Sequence, residues 1–302
     1  MPLEKSPPPR RPTLERSDYR RREQERKKKI IVASAVGGGS LLAGIIAAVL
    51  IAGALALGTL GLIADSPAVI DGARRIIEPD YEKQCAAYDN SDAYPTPGNQ
   101  GDQSSCTAWA LAYALKSAQD KSDHDWDYSE QSAFSPAYVY NQINQGQDNG
   151  SLISEAMQLV TSQGVCTLVD MPYDEKDYTT QPDGTQRSNA YPHKAEDWFS
   201  LSDVDQIKRA IVEYGGVVVG VDVYKDFDKL NEDNPIYNIQ SGKNRGGHAI
   251  CLVGYDDEMR AFKLINSWGT DWGLDGFGWV TYDIIGKDVQ TYGAFSMTDA
   301  LE

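Results

Sequence analysis

Along the chain, three patterns of apolar and polar positions succeed one another. Residues 30–64, IIVASAVGGGSLLAGIIAAVLIAGALALGTLGLIA, contain no charged residue. A bilayer core is crossed by about 20 apolar residues in a helix, so this stretch predicts a membrane span, roughly Leu41 to Leu62. From Cys106 to about Gln163 the apolar positions recur at helical spacing in TAWALAYALKSAQ, SPAYVYNQIN and SLISEAMQLVTSQG, the last ending at Gly164. A further helix is predicted from about Asp203 to Tyr214, with Ser202 as its cap. From Gly215 onward VVVGVDV, HAICLVGYDD, FKLINS and GFGWVTYD are short, rich in Val, Ile and aromatics, and punctuated by Gly and Asp, which predicts strands. A helical half followed by a strand half predicts an α+β fold with a cleft between two lobes.

Charge changes this picture by giving the chain two ends of opposite character. Residues 1–29 carry 11 basic and 5 acidic residues, net +6; of the 28 basic and 44 acidic residues in all, 17 and 39 remain for residues 30–302, net −22. Lys and Arg resist translocation, so RRREQERKKK at 20–29 is expected to keep the N-terminus cytoplasmic and the acidic bulk outside the membrane. A short basic tail pinned to a membrane is explained as a topology signal, and no nucleic-acid partner is expected. The organisation is then a basic disordered tail at 1–29, an anchor at 30–64, a connector at 65–90 and a functional domain at 91–302.

Chemistry enters at GNQGDQSSCTAWALAYAL. Thiol catalysis requires a thiolate, and Cys106 opens a predicted helix whose N-terminal dipole favours the anion. Of three histidines, His124 and His193 lie in polar stretches and read as exposed loop residues. His248 follows Gly246 and Gly247 at the start of a predicted strand, and Asn266 ends the next one, where its amide can accept from an imidazole. No two Cys or His residues stand at ligand spacing except His248 and Cys251, so neither a metal nor another cofactor is expected.

NQGDQSSC, GGHAICLVGYDD and KLINSWGTDWGLDGFGWV resemble the three active-site blocks of the papain-like cysteine proteases over about residues 95–296. The order Cys, His, Asn agrees, and the Cys106 to His248 interval of 142 residues falls within the ~130 to 150 of that family. The resemblance implies a two-lobe fold with Cys106 as nucleophile on the helical lobe, His248 as its ion-pair partner on the sheet lobe, and Asn266 orienting it. It also implies Gln100 as oxyanion donor with the Cys106 backbone N–H. Trp268 would shield the His248–Asn266 bond, and Gly150, Ser151, Gly247 and Trp268 would line the site for a peptide or protein substrate. Departures are visible: Thr107 follows the nucleophile where the family has Trp, Gln103 stands in place of a family cysteine, and Ser151 replaces a glycine. With Cys106 free and Cys251 a buried strand residue, Cys85 and Cys166 are expected to form a disulfide outside the cell. The competing readings are a transpeptidase or cell-wall peptide hydrolase built on the same triad, and a catalytically retired binding module.

Overall fold

The computed structural model describes residues 85–124, 128 and 132–299. The expected tail and anchor, residues 1–64, lie outside the described residues; among those described no helix is long and apolar enough to cross a membrane. The folded unit starts earlier than position 91, because strand β1 (Ala87–Asp89) already pairs with β5 (Asn244–Asp256).

The helical lobe is built on helix α1. It begins at Cys106–Ala108, widens into a π-helical segment over Trp109–Lys116 and returns to α-helix over Ser117–His124. The wide turn is visible where Ser117 N–H reaches the carbonyl of Ala112, five residues back. Ala108, Leu111, Ala112, Leu115 and Ala118 are all fully buried, and the alanines let the backbone approach the sheet closely. Helices α2 (Pro136–Ile143) and α3 (Ile153–Gln163) pack around it, α2 capped by Ser135 Oγ accepting from Tyr138 N–H. A short α4 (Gly184–Ala190) carries a capping box between Asp183 and Gln186.

The sheet runs in the order β2 (Ala195–Leu201), β8 (Ala294–Asp299), β3 (Val217–Tyr224), β5, β6 (Ala261–Ile265), β7 (Phe277–Thr281), β4 (Ile236–Tyr237), antiparallel except for β4 against β7. Period-two alternation assigns its side chains to two cores. Val218, Ala249, Cys251 and Val253 face the helical lobe; Val217, Val219, Val221, Ile250 and Leu252 face a second core with α5 (Val204–Tyr214) and α6 (Tyr282–Tyr292). Burial on both faces is why VVVGVDV and HAICLVGY read as continuous apolar runs rather than alternating ones.

Two expectations are corrected. Helix α5 is capped by Asp203, whose carboxylate accepts from Gln206 N–H at 2.8 Å, while Ser202 N–H instead donates to the Gln206 side chain. Cys85 and Cys166 form no disulfide: all four cysteines are free thiols. Cys166 is fully buried in the helical core, with its thiol pushed up to about 12, chiefly by burial. Cys85 instead sits just before β1, where its carbonyl accepts from the Tyr255 hydroxyl at 3.0 Å, so the fold assigns the two thiols to different surroundings.

Candidate active site

Cys106 is the first residue of α1, so its N–H belongs to the helix-end donors without an intrahelical acceptor, and the dipole is positive there. His248 lies inside β5 rather than at its start, directly opposite Val221 of β3. Asn266 follows the last residue of β6. The Cys106 loop is tied to the Asn266 loop by backbone pairing, Gln100 N–H to the Ser267 carbonyl at 2.8 Å and Gly269 N–H to the Gly98 carbonyl at 2.9 Å. These bonds bring residues far apart in sequence into one site.

Its proton arrangement follows from one fixed donor. Ser267 backbone N–H can only donate, and it lies 2.8 Å from Asn266 Oδ1, which fixes the oxygen of that amide. The same oxygen is 2.8 Å from His248 Nε2, so that nitrogen must carry the hydrogen. Nδ1 is thereby the nitrogen available to Cys106, on whose thiol the His248 side chain acts. Burial pushes the Cys106 thiol up, but the hydrogen bond and charge of His248, with the backbone N–H groups of Ala249 and Thr107, more than offset it and hold the thiol below its ordinary range.

Around this pair stands an aromatic wall. The Trp268 ring lies 4.9 Å from the His248 ring at 33°, Phe227 meets Trp268 edge-on at 5.3 Å, and Trp272 backs both. Phe227 and Trp272 are both buried, and a phenylalanine 21 positions before His248 gives no sequence signal of this wall. Gln100 is buried, its Oε1 accepting from Ser267 Oγ at 2.6 Å and its Nε2 donating to the Gln103 carbonyl at 2.7 Å, which leaves one N–H of the amide uncommitted by these bonds.

Of the expected substrate-lining residues, Gly150 has φ +87° and its N–H donates to the Tyr140 hydroxyl at 3.3 Å, while a Cβ there would meet nothing closer than the Ser104 carbonyl at 4.0 Å. The Ser151 carbonyl accepts from Thr107 Oγ1 at 3.1 Å, so the residue after Cys106 ties the start of α1 to this loop. Gly247 is exposed, and a Cβ there would press on Tyr292 at 3.0 Å. The displaced indole, Trp109, packs against Gly98 and edge-on to Tyr173 at 4.9 Å. His193, expected to be an exposed loop residue, is partly buried: it bonds Asp120 through Nδ1 at 2.7 Å and packs on Phe134; His124 closes α1.

Among the described residues no group of His, Cys, Asp and Glu is arranged to hold a metal ion. Comparison with known proteins agrees with the geometry. The family model described as papain family cysteine protease matches residues 87–293. An uncharacterized peptidase C1-like protein of Acanthamoeba polyphaga mimivirus is 26% identical over 211 residues, 63% of this chain and 65% of that protein. Cathepsin L 2 of Paramecium tetraurelia is 30% identical over 190 residues, 61% of this chain and 54% of that protein. The matches therefore span less than two thirds of these relatives' own lengths. Among solved structures, xylellain, a cysteine protease from Xylella fastidiosa, superposes with a TM-score of 0.61 at 24% identity, covering 72% of this chain and 88% of that one. The bromelain protease of Ananas comosus in complex with the E64 inhibitor gives 0.58 at 19%, covering 71% and 99%. These neighbours share the two-lobe α+β fold, and the chain belongs to the papain family of cysteine proteases.

Proposed function

We propose that the protein is a cysteine peptidase that cleaves peptide bonds through Cys106, His248 and Asn266, with Gln100 in the oxyanion hole. The observation that carries the reading is the His248 Nε2 proton fixed on Asn266 Oδ1, which leaves Nδ1 as the nitrogen available to the Cys106 thiol that His248 acts on. The Cys106 thiolate attacks the scissile carbonyl carbon. The resulting oxyanion is met by the uncommitted Gln100 N–H and the Cys106 backbone N–H. His248, protonated in the ion pair, gives its Nδ1 proton to the leaving amine as the C–N bond breaks, leaving a thioester. His248 Nδ1 then takes a proton from water, whose oxygen attacks the thioester; the acid product leaves and the thiolate is restored. Trp268 and Phe227 keep competing water from the His248–Asn266 bond.

The substrate class is a peptide or unfolded protein whose backbone lies along Gly150 and Ser151, supported by the open space over Gly150. The charge-free run 30–64 behind a +6 tail supports a single membrane anchor with the peptidase domain outside, and protection of the domain from a protease added to the cytoplasmic side would check it. The test of function is hydrolysis of an unstructured protein under reducing conditions. Wild type is expected to cleave and Cys106→Ala to be inactive; equal cleavage by both, or slow alkylation of Cys106 with no cleavage, would sink the proposal.

A further inference from the structure

The amide of Gln100 is held at two ends, its oxygen by Ser267 Oγ and its nitrogen by the peptide that receives it. That peptide is Gln103, whose carbonyl accepts from Gln100 Nε2 at 2.7 Å. The Gln103 side chain is 2% exposed and reaches a separate segment between α3 and α4: its Nε2 lies 3.3 Å from the Asp174 carbonyl, 3.2 Å from that of Glu175 and 3.5 Å from that of Asp177. The two hydrogens of this amide are shared among the three carbonyls of the cradle. The same segment holds the loop at two further points. Tyr173 donates its hydroxyl to the Gln100 carbonyl at 2.8 Å and is bonded to Ser105 Oγ at 2.7 Å. Glu175 Oε2 accepts from Asp102 N–H at 3.2 Å, and it fits only because Gly101 has no Cβ at φ +62°. The segment is anchored in turn on α2 and its C-cap, by Asn141 Nδ2 to the Thr180 carbonyl at 3.0 Å and Asn144 Nδ2 to the Tyr178 carbonyl at 2.6 Å.

No covalent tie fixes this loop, since all four cysteines are free thiols. We propose that residues 173–177 act as a non-covalent clasp, and that Gln103 and Tyr173 are positioning residues that aim the Gln100 amide at the oxyanion. The inference rests on the oxyanion role given to Gln100 above. Its physical basis is geometric: an oxyanion donor acts within about 2.7 to 3.1 Å of the developing charge, and a misplacement of about 1 Å is enough to lose ~10²-fold in rate. The clasp bonds neither His248 nor Asn266, so it governs transition-state stabilisation and leaves thiolate formation alone.

A double-mutant cycle in the full-length protein tests this. Gln103→Met keeps the side-chain volume and removes both donors; Tyr173→Phe removes the bridging hydroxyl and is carried through the same cycle in case the first variant folds poorly. Each is expected to lower kcat on the order of tenfold with KM nearly unchanged, a fraction of the ~10² to 10³ for losing an oxyanion donor outright. The pH midpoint of Cys106 alkylation is expected to stay at the wild-type value. In a Gln100→Ala background neither substitution is expected to lower kcat further. Equal factors in both backgrounds, an unchanged kcat in both single variants, or an alkylation midpoint that moves with kcat would overturn the clasp. If Gln100→Ala itself leaves kcat unchanged, the oxyanion reading falls and the clasp with it; if Gln100→Ala is slow while Gln103→Met and Tyr173→Phe are normal, the clasp alone falls.

Discussion

Asn266 Oδ1 accepts two N–H groups at 2.8 Å, and this double acceptance sets the tautomer of His248. Removing the acceptor frees the ring to rotate and to place its proton on the wrong nitrogen. Asn266→Ala is therefore expected to lower kcat by about 10- to 100-fold, the usual cost of losing a group that orients a reactive imidazole, as steady-state kinetics would show. At this scale the sequence was informative where a residue's role follows from its place in the chain. Cys106 stands out by opening a helical run and Asn266 by following a strand, whereas His248 lies inside its strand and not at the start that its two preceding glycines suggest. Gln103 and Tyr173 could not be read that way, because their partners are backbone groups about 70 residues distant. His193 was misread for the same reason: a loop position says nothing of the buried Asp120 it meets.

At the scale of elements, the fold rests on a sheet covered on both faces. Leu252 of β5 is fully buried in the outer core, opposite Val217 and Leu264 in register. Leu252→Ala is expected to cost about 2 to 5 kcal/mol in denaturant unfolding, from lost transfer energy and the cavity left behind. The end of α3 is equally constrained: Gly164 has φ +80°, and a Cβ there would sit 1.9 Å from the Ala190 carbonyl. Gly164→Ala is expected to lower stability by at least ~1 to 3 kcal/mol, with the α4 end displaced. Strong periodicity revealed α1, α2, α3, α5, β3 and β5. Strand β2 escaped because it is an outer strand with three exposed residues in seven, and α6 because Gly286 interrupts its apolar face. The cap of α5 was missed by one position, since Ser202 and Asp203 are both good caps and only the latter's side chain reaches Gln206 N–H.

Over the whole molecule, a buried charge cluster joins the two lobes. Lys116 of α1 is 1% exposed and bonds Asp120 and Asp299, the last residue of β8, each at 2.5 Å, while Asp120 also bonds His193. Burial alone would raise the Asp120 carboxyl; its bonds to His193 and the charge of Lys116 hold it below the ordinary 3.8. A depressed carboxylate adds stability above its unfolded value and loses it as pH falls through the folded one, so its contribution is present at neutral pH and lost on the acid side below about 4. Asp120→Asn is expected to cost about 2 to 4 kcal/mol at pH 7, tempered by the remaining Asp299, and to flatten the acid limb of stability against pH. The expected Cys85–Cys166 bridge illustrates what counting cannot supply: four cysteines permit a pair, but which thiols meet is decided by tertiary placement. The central claim is that His248 makes a thiolate of a half-buried Cys106. It is tested most directly by the pH dependence of Cys106 alkylation by iodoacetamide in wild type and His248→Ala, with the modified residue located by mass spectrometry. Wild type is expected to react rapidly at mildly acidic pH. The variant retains the burial without the partner, so its profile is expected to move to the alkaline side of an ordinary thiol. Coincident profiles, or a wild-type midpoint at or above that of an ordinary thiol, would contradict the claim.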